Sequence, residues 1–271
     1  MRNITAVGHR GDPYLVRENT LPSLRSAVVR GADAVEIDVR VTRDGVPVLL
    51  HDATLKRLWG DDRRLSGLTH AEVSGVTGGG VPTLAEALAE PGAHRLMIDL
   101  PGATEDSVRT VVDTVREHGA ADRVYYCAGP VTMLRVRTAD AAAEIALTWT
   151  SLAPPRPVLI AAVRPRTLNY RFGLVGPELA ERVHQDGMLV SAWTVDTRRV
   201  MRRLIEAGVD SITTNRIDAL HSVRRETGPA IPAPDPRGRY GVARPDPAPG
   251  AVPAARKPAG KPAGPGSPKA G

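Results

Sequence analysis

The chain has 271 residues, a formal net charge of +6 and a single cysteine, Cys127. One cysteine excludes an intrachain disulfide and a thiolate-ligated metal cluster, and no apolar run approaches the roughly 18 residues that a membrane span needs. Residues 228–271 carry seven Lys or Arg against two Asp, so +5 of the charge lies there and the high basicity does not indicate a folded nucleic-acid-binding domain.

Short apolar runs alternate with longer amphipathic segments before residue 228. We predict eight strands, near 4–8, 34–39, 95–100, 123–127, 144–149, 168–172, 188–194 and 210–213. We predict helices near 20–30, 83–89, 104–118, 131–139, 177–186, 196–207 and 216–225. Thr83, with Glu86 three residues later, is typical of a capping box at a helix start.

The repeated strand–helix order favours parallel strands joined by right-handed crossovers. Eight such units predict an α/β fold of the (β/α)8 TIM-barrel class, and an open doubly wound sheet is the alternative. We expect the barrel to occupy residues 1–227.

A hairpin is predicted directly after the second strand. Residues 42–45, Thr-Arg-Asp-Gly, form a turn sequence, and residues 47–50 lead back to His51 and Asp52. A tight turn makes the two flanking strands antiparallel, whereas a barrel strand is parallel to its neighbours. We therefore expect residues 39–50 to stand above the barrel as a hairpin that lowers His51 over its mouth.

Polar side chains fall at the predicted carboxyl ends of the strands, where the active site of such a barrel lies. Glu36 and Asp38 stand two apart in one strand, so they share a face, and Asp99 ends the next strand. Three carboxylates at one barrel mouth repel one another and raise each other's pKa. A bound divalent cation would neutralise this repulsion. Oxygen ligands favour Mg2+ or Ca2+, and also Mn2+, over zinc.

A cation beside Arg10, His9 and His51 suits a phosphate ester. The cation and the guanidinium balance charge at phosphorus, and imidazoles move protons near neutral pH. Each residue alone has an ordinary structural explanation: a histidine is often incidental, Arg10 could be a surface charge, and Trp193 could belong to the core. Their joint placement at strand ends on one side favours a functional interpretation.

Four segments resemble the glycerophosphodiester phosphodiesterases of the small bacterial cytoplasmic type. They are HRGDPYLVRENT (9–20), GADAVEIDVRVTRDGVPVLLHDATLKR (31–57), VPTLAEAL (81–88) and VSAWTVDTRRVMRRLIEAGVDSITTN (190–215). The resemblance implies a (β/α)8 barrel with a small insertion after the His51-Asp52 motif, at about residues 53–82 here. It also implies cation-dependent hydrolysis of glycerophosphodiesters to glycerol 3-phosphate and an alcohol.

The resemblance also implies a role for each candidate residue. Glu36, Asp38 and Asp99 would be metal ligands. His9 and His51 would be the general acid and base. Arg10 would hold the phosphate, and Trp193 would wall the pocket for the glycerol or the alcohol.

The third acidic strand departs from the family pattern. It usually ends in Glu-x-Lys, with the lysine on the phosphate, but this chain has Asp99-Leu100-Pro101. Two alternatives therefore stay open: a lysophospholipase D-type enzyme or cyclic-phosphodiester relative with a bulkier substrate, and a catalytically degenerate barrel that binds a phosphodiester without turnover. Retention of both histidines and of the Glu36–Asp38 pair favours catalysis.

Residues 228–271 hold 12 of the 24 prolines and 8 of the 26 glycines, with few large apolar residues. This composition predicts a disordered basic tail. The first residues lack an apolar stretch of signal-peptide length, so we expect a cytoplasmic protein. We expect a small-molecule glycerophosphodiester as its partner, no nucleic acid and no membrane span, and the oligomeric state stays open.

Overall fold

A computed structural model describes residues 4–90 and 94–227 of the chain. Its strands are β1 (Thr5–His9), β2 (Ala34–Val41), β3 (Pro47–Leu49), β4 (Thr54–Leu55), β5 (Asp61–Arg64), β6 (Arg95–Asp99), β7 (Val124–Ala128), β8 (Ile145–Trp149), β9 (Thr167–Arg171), β10 (Leu189–Trp193) and β11 (Ser211–Thr214). Its α-helices are α1 (Leu21–Val29), α2 (Lys56–Trp59), α3 (His70–Thr77), α4 (Leu84–Ala89), α5 (Glu105–Glu117), α6 (Pro130–Ala139), α7 (Pro157–Val163), α8 (Pro177–Gln185), α9 (Arg198–Glu206) and α10 (Ile217–Thr227). The tail predicted over 228–271 lies outside the described residues.

Eight of the strands form a closed parallel barrel. Their order around the ring is β1, β2, β6, β7, β8, β9, β10 and β11, and β1 pairs with both β11 and β2. This closure confirms the (β/α)8 barrel and rules out the open doubly wound sheet.

The two faces of the barrel strands carry different side chains. Val35 and Ile37 of β2 point outward into the large apolar cluster between sheet and helices. Inside the barrel, a small apolar layer fills the floor; it consists of Val7, Ala34, Met97, Cys127 and Ala146. Because strand side chains alternate, Glu36 and Asp38 share the inner face with Ala34 and stand above that floor.

The hairpin is confirmed. Beyond the barrel, the end of β2 pairs antiparallel with β3, with Val39 opposite Leu49 and Val41 opposite Pro47. The turn between them holds Gly45 at φ +84°. Residues 53–82, where the resemblance places an insertion, contain the β4–β5 ribbon and helices α2 and α3.

The seven predicted helices are present, each with ends within two residues of the prediction. Helices α2, α3 and α7 were not predicted. The α7 segment begins at Pro157 after a proline-rich stretch, which hides a short helix from pattern analysis. Among the described residues, no helix is both long and apolar enough to cross a membrane.

Candidate active site

Three carboxylates meet at the carboxyl ends of β2 and β6. Asp38 and Asp99 are register partners on the two neighbouring strands, and Glu36 lies two residues before Asp38 on the same face. One oxygen from each of the three lies within 4.8 Å of the others. Glu36 and Asp38 are 3% and 1% exposed, so water screens their charges poorly.

The electrostatics of this cluster show an excess of negative charge. Burial, followed by the charges of Asp38 and Asp99, raises the pKa of Glu36 well above its usual value. Burial and then the charge of Asp38 raise the pKa of Asp99 to about 7. Arg10 opposes both shifts without cancelling them.

The three residues fit a divalent cation. The donor set is carboxylate oxygen only, which suits Mg2+, Ca2+ or Mn2+. The raised pKa values of Glu36 and Asp99 mark a negative charge that a bound cation would relieve.

Arg10 is held among these acids by the backbone after β1. Its φ is +59°, and its N–H donates to Glu36 Oε2 at 2.8 Å. Its Nε lies 3.0 Å from Asp38 Oδ2, and its Nη1 donates to Glu18 Oε1 at 3.0 Å. Nη2 donates to none of the residues that the structure describes, so one edge of the guanidinium is left for a ligand.

Asn19 fixes the other side of Asp38. Its Nδ2 donates to Asp38 Oδ2 at 2.8 Å, and its Oδ1 accepts from the Asp38 amide at 3.2 Å. The side-chain amide of Asn19, a residue that is 2% exposed, therefore sets the orientation of the Asp38 carboxylate.

His9 is fixed by a chain of hydrogen bonds at the end of β11. Asp196 accepts from the amide N of Asn215 at 2.9 Å and from its Nδ2 at 2.8 Å. The Oδ1 of Asn215 therefore faces His9, and His9 Nδ1–H donates to it at 2.8 Å. The proton-free Nε2 lies 4.0 Å from Glu36 Oε2. Burial, followed by the charge of Arg10, lowers the pKa of His9, so the ring is neutral at pH 7.

His51 stands at the rim of the barrel, with a side chain 42% exposed. Its Nδ1–H donates to Asp52 Oδ1 at 2.7 Å. Arg57 donates to Asp52 and also to Glu18, at 2.6 Å in both cases, and Glu18 in turn accepts from Arg10. A continuous path of hydrogen bonds thus joins His51 to Arg10.

A cavity of about 280 Å³ opens at the barrel mouth. His9, Glu36 and Asp99 line one part of it, and Trp193 lines another. Pro101 also lines the cavity, as expected if it occupies the position of the family lysine.

The Glycerophosphoryl diester phosphodiesterase family matches residues 9–219 of this chain. The chain belongs to that family. Members hydrolyse phosphoric diesters, and this chain is such a hydrolase, a glycerophosphodiester phosphodiesterase.

Proteins that are similar to this chain along most of its length support this family assignment. A glycerophosphodiester phosphodiesterase of Caldanaerobacter subterraneus subsp. tengcongensis is 27% identical over 243 residues, which cover 82% of this chain and 98% of that protein. The crystal structure of glycerophosphodiester phosphodiesterase from Thermotoga maritima has the same fold, with a TM-score of 0.73, 21% identity and coverage of 83% of this chain and 100% of that one. An Oleispira antarctica phosphodiesterase in complex with the product sn-glycerol-3-phosphate has a TM-score of 0.73 and 20% identity, covering 81% and 96% of the two chains.

In the phosphodiesterase, the residues predicted as site residues gather at one barrel mouth, with His51 on the rim and the others inside. Sequence reasoning missed the residues that position them: Glu18, Asn19, Arg57, Asp196 and Asn215. The signal for some of these was present, because Glu18 and Asn19 lie in the ENT stretch and Asn215 ends ITTN.

Proposed function

We propose that the enzyme hydrolyses glycerophosphodiesters to glycerol 3-phosphate and an alcohol, with a divalent cation held by Glu36, Asp38 and Asp99. The observation that carries this proposal is the carboxylate cluster beside His9 and Arg10 at one barrel mouth. When bound, the cation would supply positive charge to the phosphate oxygens and acidify the attacking hydroxyl. The glycerol 3-phosphate bound to the Oleispira antarctica structure supports the choice of substrate.

His9 is the general base in this proposal. The Asn215 bond keeps the proton on Nδ1, so Nε2 is free to accept the proton of the attacking hydroxyl. That hydroxyl belongs to a water, whose attack gives glycerol 3-phosphate directly, or to the glycerol of the substrate, whose attack gives a cyclic glycerophosphate. In the second case a water, deprotonated by His51, then attacks phosphorus; the bond from phosphorus to the ring oxygen breaks, and that oxygen takes its proton back from His9 to give glycerol 3-phosphate.

His51 is the general acid. Its Nδ1 proton is held by Asp52, so the opposite nitrogen, Nε2, is the one that donates. The bond from phosphorus to the alcohol oxygen breaks, and that oxygen takes its proton from His51. Arg10, through its unbound edge, holds the phosphate during both proton transfers.

Activity on glycerophosphocholine and glycerophosphoethanolamine tests the proposal. We expect hydrolysis to stop in excess EDTA and to return with Mg2+, Ca2+ or Mn2+. Glu36→Gln and Asp38→Asn should abolish turnover, whereas Glu117→Gln on exposed α5 should not. A cation should also raise the thermal midpoint of the wild type but not of Glu36→Gln. Undiminished activity in excess chelator would overturn the metal-dependent mechanism.

One observation favours the alternative of a barrel that binds a phosphodiester without turnover. Pro101 presents no charge to the cavity where the family places a lysine. Both histidines keep hydrogen-bonded partners, which argues for turnover. Diester binding without hydrolysis under every cation would decide for the alternative.

A cytoplasmic location also stays a prediction, for cell fractionation to test.

A further inference from the structure

A second polar surface lines the same cavity. It consists of Cys127, Thr148, Asn169, Trp193 and Thr213, and we call these five residues the hydroxyl wall. They come from the five consecutive strands β7 to β11. In the ring of eight strands, β9 lies four strands from β2, so the centre of the wall faces Glu36 and Asp38 across the barrel.

The wall has hydrogen-bonding atoms without partners. Asn169 Nδ2 donates to Cys127 Sγ at 3.1 Å and to Thr148 Oγ1 at 3.3 Å. Its Oδ1 has no partner among the described residues, and the same holds for Thr213 Oγ1 and Trp193 Nε1. Asn169 is 4% exposed and Thr213 is 1% exposed. Buried polar atoms are almost always paired, so three buried, unpaired atoms on residues that line one cavity point to a ligand.

The wall carries no charge at neutral pH. Its one titratable group is the Cys127 thiol, whose pKa is raised by burial and then by the charge of Asp99. The charges that line the cavity are those of Glu36 on β2 and Asp99 on β6. Asp99 is the register partner of Cys127 at the edge of the wall, so the part of the wall farthest from these charges is its centre, Thr148 and Asn169. The wall is therefore suited to an uncharged group that both donates and accepts hydrogen bonds.

We propose that the hydroxyl wall binds the alcohol half of the substrate and that this alcohol is an uncharged polyol such as glycerol. The inference rests on the proposed function, which places the phosphate and the reacting glycerol hydroxyl beside Arg10, His9 and the acids. The opposite side of the cavity then remains for the alcohol.

The three unpaired atoms complement neighbouring hydroxyl groups. Asn169 Oδ1 accepts a hydroxyl proton, Trp193 Nε1–H donates to a hydroxyl oxygen, and Thr213 Oγ1 does either. A quaternary ammonium head group has no proton to donate and no lone pair to accept. It would leave all three atoms buried and unpaired, which is how a polar site rejects the wrong substrate.

The test compares kcat/KM for glycerophosphoglycerol with kcat/KM for glycerophosphocholine. We expect the wild type to prefer the glycerol ester by at least about tenfold, since each neutral hydrogen bond contributes roughly 2–10-fold. Asn169→Leu and Thr213→Val should each lower that preference by roughly 2–10-fold. Thr138→Val, whose hydroxyl bonds Leu134 O on the outside of α6, is the matched control and should leave the preference unchanged.

Asn169→Asp provides a gain of function. It keeps the size of the side chain and adds a negative charge to the wall, so it should shift the preference toward the choline ester. This variant guards against the case in which the leucine variant fails to fold.

The outcomes separate the two proposals. Wild type that hydrolyses neither ester overturns the proposed function. In that case the affinities of the two intact esters for the chelator-treated wild type and Asn169→Leu test the hydroxyl wall. Tighter binding of the glycerol ester by the wild type, lost in the variant, supports it. If the variants fold normally and change kcat/KM, or the affinity, equally for both esters, the hydroxyl wall is overturned and the proposed function stands.

Discussion

At the scale of single residues, His9 and His51 differ in burial and in partner although they serve one reaction in the proposed mechanism. General acid–base groups contribute about 10²–10⁴-fold each, so His9→Ala and His51→Ala should each lower kcat by that order. His70→Ala, at the half-buried start of α3 and outside the proposed site, should cost little. Steady-state kinetics of the three variants checks this, and equal losses in all three would refute the assignment.

The acid cluster makes the stability of the cation-free protein depend on pH. Asp99 has a pKa of about 7 in the folded protein, against about 3.9 in an unfolded chain. Between these values the folded state holds a proton that the unfolded state has released, so the free energy of unfolding falls as pH rises from about 4 to 7. The raised pKa of Glu36 acts in the same direction as that of Asp99. The lowered pKa of His9 opposes them up to about pH 6.5, where an unfolded histidine releases its proton, and the lowered pKa of Asp52, about 2, opposes them only at more acidic pH.

We therefore expect the urea midpoint of EDTA-treated protein to be lower at pH 8 than at pH 5. Asp99→Asn should reduce the difference, and a divalent cation should add more stability at pH 8 than at pH 5. A midpoint unchanged between the two pH values, with and without cation, would contradict the raised pKa.

The residues proposed to carry the chemistry were predictable from the sequence, whereas the contacts of the residues that position them were not. Strand ends and the E-x-D spacing placed His9, Glu36 and Asp38 at one mouth. The bond from His9 to Asn215 spans 206 positions, and the one from Arg57 to Glu18 spans 39. Such contacts depend on how the finished barrel packs, which no local pattern encodes.

At the scale of elements, the turn after β1 requires glycine at position 11. Gly11 has φ +90°, and an added Cβ would lie 2.6 Å from the Ser23 carbonyl carbon. Gly45 has φ +84° in the hairpin turn, with nothing within 4 Å. Gly45→Ala should cost about 1 kcal/mol of unfolding free energy, and Gly11→Ala about 3 kcal/mol or more. Urea denaturation measures both, and equal costs would disprove the steric argument.

In the proposed mechanism, the chain directly after β6 contributes to how tightly the phosphate is held. Pro101 lines the cavity, so a lysine there would place an ammonium near the phosphate. A charge-assisted hydrogen bond contributes roughly 1.5–3 kcal/mol, which corresponds to about 10–150-fold in kcat/KM. Pro101→Lys, alone or with Asp99→Glu, should raise kcat/KM by that order on glycerophosphodiesters. Pro101→Met, which lacks the charge, is the control, and a gain equal to that of lysine would exclude the electrostatic explanation.

Strands were easier to predict than short helices. Most barrel strands are apolar runs bounded by turn residues, so their existence follows from composition; β9 (TLNYR) and β11 (SITT) are more polar. Helix α3 does carry a capping box at Thr69 and Glu72, a readable signal that its few apolar residues obscured. The short α7 owes its stability to packing, which includes the fully buried Val163.

At the scale of the whole molecule, residues 1–227 are the proposed catalytic unit, and we expect the basic tail to be dispensable. A chain truncated after Thr227 should keep its kinetic constants and its thermal midpoint. The composition of 228–271 supports this, because it offers little apolar surface to pack on a barrel. A clear loss of either property on truncation would show that the tail contributes to the folded enzyme.

The hairpin formed by the end of β2 and β3 makes the active site modular. The closed ring of strands supplies the carboxylates and His9, and Arg10 follows directly after β1; these parts are fixed by the register of the barrel. His51 stands on the returning arm of an appendage, bound to the ring side through Glu18 and Arg57. In the proposed mechanism, a barrel with a different hairpin of equal reach would keep its phosphate-binding half and gain new proton chemistry. If these roles hold, binding and leaving-group protonation can change independently in this architecture.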